Sequence, residues 1–132
     1  MQFSSFLRTV LKIDAASCLA MAVLLVPAAG SLRTPLGIDP LILQGAGLVL
    51  FPLGLFILWL GTRRAASAAL VWLVIVGNIG WTLSSFAAAS AMPGITLLGQ
   101  AIVLLQAIMV LVLAYLEWHG LRSIAVAQSA QV

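Results

Sequence analysis

Charge is nearly missing from this chain. Of its 132 residues 7% are Asp, Glu, Lys or Arg, and only three are acidic. A water-soluble domain carries about 25% charged residues and about 45–50% apolar ones, whereas this chain is 64% hydrophobic. It cannot cover its own surface with polar groups, so lipid is its expected solvent. A single cysteine, Cys18, excludes an internal disulfide framework and a cysteine-based metal site. A single histidine, His119, is too few for haem held by two imidazoles, and a metal site needs further ligands. No nucleophile–base pair or phosphate loop can be assembled, so no catalytic residue and no cofactor is assigned. The length leaves room for one compact unit, a single domain over 1–132.

What remains is four apolar runs with basic residues between them. Arg8 and Lys12 precede the first run, Arg63 and Arg64 separate the second from the third, and Arg122 follows the fourth. Only Arg33 lies in a turn of the other parity. Cytoplasmic loops carry the excess of Lys and Arg, so both termini and the central turn are expected in the cytoplasm. The net charge of +3 does not point to nucleic acid, because the basic residues flank apolar segments and form no stripe. Arg8, Lys12 and the following run, ending in Val26-Pro27-Ala28, imitate a cleavable signal peptide. We read that run as a retained first helix.

The expected helices cover about 13–29, 40–60, 66–90 and 95–118, with a frayed tail at 121–132. Pro27 and Gly30 are expected to end the first, and Ser31 to Pro40, with its two prolines, to form a non-helical turn. Pro40 suits the first turn of the second helix. Gly61-Thr62-Arg63-Arg64 and Met92-Pro93-Gly94 turn the chain, and Gly120 is read as the stop of the fourth helix. Turns this short make consecutive helices antiparallel neighbours, which predicts an all-α, integral-membrane, four-helix up-down bundle. Trp59 and Trp118 anchor the cytoplasmic interface with the basic residues. Trp59-x-Gly61-x-Arg63 and Trp118-x-Gly120-x-Arg122 repeat one pattern, as parallel halves would.

Polar groups inside a membrane are costly and default to functional candidates. Asp14 points away from Arg8 and Lys12, toward the bundle, on a face shared with Ser17, Cys18 and Met21. It reads either as one half of an ion pair with Arg63, Arg64 or Arg122, or as a proton-exchanging group. Asn78, Trp81, Gln106 and Gln44 read either as interhelical hydrogen-bonding glue or as the lining of a hydrophilic path. Asn78 or Gln106 is a candidate donor to the Leu48 carbonyl, which Pro52 leaves without its usual partner. Gly80, Ser84 and Ala88 form a row suited to close helix approach, with Gly45, Gly47 and Gly54 on the second helix.

A carboxylate in the first of four helices resembles the small multidrug exporters, which exchange protons for cationic drugs. This chain lacks the aromatic-rich wall that the resemblance requires beside Asp14. Val76-Gly77-Asn78-Ile79-Gly80-Trp81 and Leu98-Gly99-Gln100-Ala101, with Gln106, Glu117 and Gly120-Leu121-Arg122, resemble a group of small four-helix integral membrane proteins of bacteria. That resemblance implies the bacterial cytoplasmic membrane and supplies no activity. The expected function is non-enzymatic: an accessory or scaffold subunit meeting other membrane-protein chains through helix contacts. A small proton-coupled transporter using Asp14, and a lipid- or quinone-binding protein, are the alternatives.

Overall fold

A computed structural model describes residues 1–131, which fold into four helices. They are α1 (Ser5–Leu36), α2 (Pro40–Thr62), α3 (Ala68–Ala91) and α4 (Leu97–Ala130), each long and apolar enough to cross a membrane. Side-chain oxygens cap every N-terminus. Ser4, Asp39, Ser67 and Thr96 each accept from a backbone N–H of the first turn, which would otherwise lack a partner.

Two helices exceed their expected bounds. α1 passes through Pro27 and Gly30 and stops only at Gly37, whose φ of 66° lies in the left-handed region. Pro27 lacks the N–H that would bond the Val23 carbonyl. The buried Leu25 and Ala29 on either side keep this stretch packed into an apolar cluster with Leu43 of α2. Gly37 is needed twice over: a Cβ there would be strained by φ and would overlap the Gly94 carbonyl oxygen. α4 passes through Gly120 and takes up most of the tail expected to fray. Gly120 is a contact point and not a stop, since a Cβ there would lie 3.2–3.4 Å from Phe6 and Leu7 of α1. At about 1.5 Å per residue α4 is roughly 50 Å long, well beyond one hydrocarbon core.

The closest pairing is α1 with α2. Gly47, Gly54 and Gly61 recur every seven residues, and each meets α1, at Leu25–Val26, Cys18–Leu19 and Leu11–Lys12 respectively. The register falls in α1 as it rises in α2, so the two run in opposite directions. Leu43, Leu50 and Ile57 fill the alternate buried positions of the same heptads. On α1, Ala15, Ala22 and Ala29 alternate with Leu11, Cys18 and Leu25 in the same way. Lipid tails are as apolar as leucine, so helices in a membrane associate through close packing and polar bonds. Small residues at heptad spacing provide the close packing. The row at Gly80, Ser84 and Ala88 does not serve in this way within the chain: Gly80 and Ser84 are exposed, and nothing lies near a Cβ at Gly80. Gly45 likewise faces open space.

α3 packs on α4, α4 packs on α1, and α2 barely touches α3. The four helices therefore form a ring with one loose side. At one end the Met1 carbonyl accepts from the Ala66 N–H, and the Phe3 N–H donates to the Arg64 carbonyl, which stitches the N-terminal residues to the α2–α3 turn. At the other end Thr96 holds the α1 terminus. Its N–H donates to the Leu36 carbonyl at 3.0 Å and its hydroxyl to the Pro35 carbonyl at 2.7 Å.

Candidate functional site

Three helices bring one polar side chain each to a single point in the core. Asp14 on α1 and Glu117 on α4 are 0% exposed, and Asn78 on α3 is 8% exposed, so bulk solvent satisfies none of them. The Asn78 amide nitrogen donates to Asp14 Oδ2 at 2.8 Å and to Glu117 Oε2 at 3.2 Å. Its two N–H groups thus hold two carboxyl groups beside each other. The Cys18 thiol, one turn along α1, donates to Asp14 Oδ1 at 3.8 Å. The remaining oxygen, Glu117 Oε1, is buried without a hydrogen-bond partner.

Local sequence explains why each group points inward. Asp14 lies among buried Leu7, Val10, Leu11, Ala15 and Cys18, which share its face at intervals of three and four. Glu117 sits in the same way among Leu113, Ala114, Gly120 and Leu121. Thr82 steadies α3 beside the site: its hydroxyl donates to the Asn78 carbonyl at 2.9 Å and lies 3.3 Å from the Ala107 carbonyl of α4. The depth follows from the α1–α2 register. Lys12 meets Gly61 and Cys18 meets Gly54, so Asp14 is level with a point about one turn inside the α2 terminus that carries Arg63 and Arg64.

On the deeper side of the cluster lies a cavity of about 480 Å³, bounded by all four helices. Its wall is mostly apolar, from Met21, Leu50, Phe56, Ile57 and Val74 among others, with Ser17, Cys18, Asn78, Trp81 and Gln106 as its polar points. Asn78 and Cys18 are shared: they touch the carboxyl groups on one side and the cavity on the other. Neither Asp14 nor Glu117 lines the cavity itself. Leu53 and Leu73, on the loosely packed side between α2 and α3, line the cavity and are also exposed on the outer surface.

The candidates separate into two groups and two outliers. Asp14 and Asn78 meet directly. Trp81 and Gln106 meet each other, with the indole N–H donating to Gln106 Oε1 at 2.9 Å. The Gln106 amide donates in turn to the Ser85 hydroxyl and the Val103 carbonyl. Both amides are therefore engaged away from the Leu48 carbonyl beside Pro52. Gln44 is exposed on α2 and joins neither group. The hydrogen bonds of Asp14 go to Asn78 and Cys18, not to a guanidinium. Arg63 instead stacks over Trp59 at 5.0 Å and Arg122 over Trp118 at 5.2 Å, so the repeated W-x-G-x-R pattern makes the same contact twice. Lys12 is exposed but runs beside Gly61 of α2, and Arg8 is half-buried, with its Nε enclosed and without a hydrogen-bond partner. His119 is exposed and sits edge-on to Phe6 and stacked on Tyr115.

Glu117 was missed by sequence reasoning, which named it only among the residues of the bacterial resemblance and assigned it no site. Its signal was the small or apolar set at −4, −3, +3 and +4 around it, Leu113, Ala114, Gly120 and Leu121. Among the described residues no group of three or more His, Cys, Asp or Glu is placed to hold a metal ion. What the arrangement shows is hydrogen bonding among an amide, a thiol and two carboxyl groups. No protein-family model, curated protein or solved structure matches the chain.

Proposed function

We propose that this chain is a non-enzymatic integral protein of the bacterial cytoplasmic membrane that exchanges protons for a small, largely apolar cation. In this reading the bundle is up-down, with both termini and the Arg63–Arg64 turn in the cytoplasm. One observation carries the reading: two fully buried carboxyl groups share the amide that also lines a cavity of about 480 Å³. Helix contact alone does not call for two acids at membrane depth, where each is expensive. A pair of carboxyl groups in a dry site is poised to exchange protons, because like charges this close cannot both persist cheaply. The position about one turn inside the Arg63–Arg64 end favours proton supply from that side. The cavity's apolar wall and its rim between α2 and α3 favour a solute that arrives through lipid.

The test is binding of tetraphenylphosphonium, as the probe cation, to the purified protein in weakly buffered solution, with proton release followed alongside. A cation that displaces a proton from the pair should release protons as it binds. The doubly neutral variant, Asp14→Asn with Glu117→Gln, should bind weakly and release none. Gly77 lines the cavity, and a Cβ there meets nothing within 4 Å. Gly77→Phe should therefore fill the cavity and abolish binding while the helices stay intact. Equal binding without proton release in wild type and the neutral variant would overturn the proposal.

A second reading, contact with another membrane chain as an accessory or scaffold subunit, is favoured by the outward row at Gly80, Ser84 and Ala88. Cysteine cross-linking from Ser84 in native membranes tests it; absence of any adduct would count against it.

A further inference from the structure

We infer that the outer face of α3 and α4 is a binding site for one anionic phospholipid, separate from the cavity and independent of the transport reading. The groove between these helices is lined by Trp72, Ile75 and Ile79 from α3 and by Leu111, Ala114, Tyr115 and Trp118 from α4, with Val112 at its edge. Its floor is Ile75 and Ala114, both buried, and its walls are the exposed Trp72, Ile79, Leu111 and Tyr115 with the half-buried Trp118. The small side chain of Ala114 makes the face concave. The stretches 72–79 and 111–118 each advance seven residues, so the groove runs about 10 Å along the helix axes.

The two ends of the groove differ. Ile79 and Leu111 close one end with aliphatic groups only. Trp72, Tyr115 and Trp118 gather at the other, where the Arg122 guanidinium sits 5.2 Å from the centre of the Trp118 ring and the His119 ring stacks on Tyr115. Aromatic rings of this kind settle at headgroup depth. An acyl chain suits the aliphatic end, and the exposed Arg122 beside the rings suits a phosphate. The charge at the mouth is basic, which selects an anionic headgroup over a zwitterionic one. Trp59 and Arg63 form the same ring–guanidinium contact without lining this groove, and so supply an internal control.

The experiment is native mass spectrometry of the intact protein in detergent, with phosphatidylglycerol and phosphatidylcholine added at equal concentration. One phosphatidylglycerol should be retained in preference by about five-fold, the size set by one basic side chain near an anionic headgroup. Arg122→Gln should bring the ratio close to one. Ala114→Leu should lower retention of both lipids by filling the groove, and Arg63→Gln should change nothing. Thermal unfolding in detergent checks that each variant remains folded. Equal retention of the two lipids by wild type would overturn the inference. So would a loss of preference in Arg63→Gln as large as in Arg122→Gln, since that would indicate general surface charge.

Discussion

Replacing Asn78 with leucine removes both donors from the carboxyl pair while keeping the same branched heavy-atom skeleton. Interhelical hydrogen bonds between neutral groups in membranes average only about 0.6 kcal/mol, so two such bonds would be worth about 1 kcal/mol. Here both acceptors are carboxyl groups with no exposed surface. Removing the partner of a buried charge costs about 3–5 kcal/mol, and the second effect should dominate. Asn78→Leu is thus expected to destabilise the bundle by about 3 kcal/mol. In a background of Asp14→Asn and Glu117→Gln no charge is left to strand, and the same substitution should cost about 1 kcal/mol. The difference, about 2 kcal/mol, is a coupling of the size that contacting residues show. The assay is reversible unfolding in mixed micelles, followed by circular dichroism, for wild type and the variants of the cycle. Additivity within about 0.5 kcal/mol would refute the reasoning, because the amide would then hold the carboxyl groups no more firmly than it would hold neutral ones.

Other substitutions probe the packing and the second polar pair. Gly54→Leu would place its Cβ 2.8–2.9 Å from Leu19 and should cost at least about 1–3 kcal/mol by overpacking; Gly80→Leu, with nothing near its Cβ, should stay within about 0.5 kcal/mol of wild type. Equal losses in micelle unfolding would contradict the α1–α2 register. Gly37→Ala should lose about 1–3 kcal/mol from backbone strain alone, and more from its overlap with the Gly94 carbonyl, read as a drop in thermal unfolding temperature. Trp81→Phe keeps the ring and loses the bond to Gln106; a loss of about 0.6 kcal/mol is expected, and one above 2 kcal/mol would mean the pair does more than fix helix rotation.

How much could be read from the chain differs from element to element. The α2 start was legible because Pro40 suits a first helical turn, and its end because Arg63 and Arg64 follow a run of the right length; the Asp39 cap emerged only in the structure. The course of α1 beyond Ala29 was not, because Pro27 and Gly30 are breakers in water but continue here among packed neighbours. Gly120 reads as a stop by composition and serves as an approach point because Phe6 and Leu7 lie against it, a tertiary fact. Asp14's inward direction followed from helical geometry, while its partner did not. Arginine seemed the natural match for a carboxylate, yet the diagonal position of α3 supplied an amide from 64 positions away. The pairing of Trp81 with Gln106 was open for the same reason, since periodicity tells which face a side chain occupies and not which helix faces it.

The polar cluster also has an order of arrival. Asp14 is made first, with Cys18 one turn away, and a chain that has reached only the end of α2 has a well-matched helix hairpin with an acid still lacking its amide. Asn78 reaches the bilayer with α3, and Glu117 only with α4. Until then Asp14 lacks both the amide and the second carboxyl group that adjoin it in the finished bundle. A chain truncated after Thr62 should for that reason be less stable than its packing alone suggests, although its two helices already meet along their shared heptads.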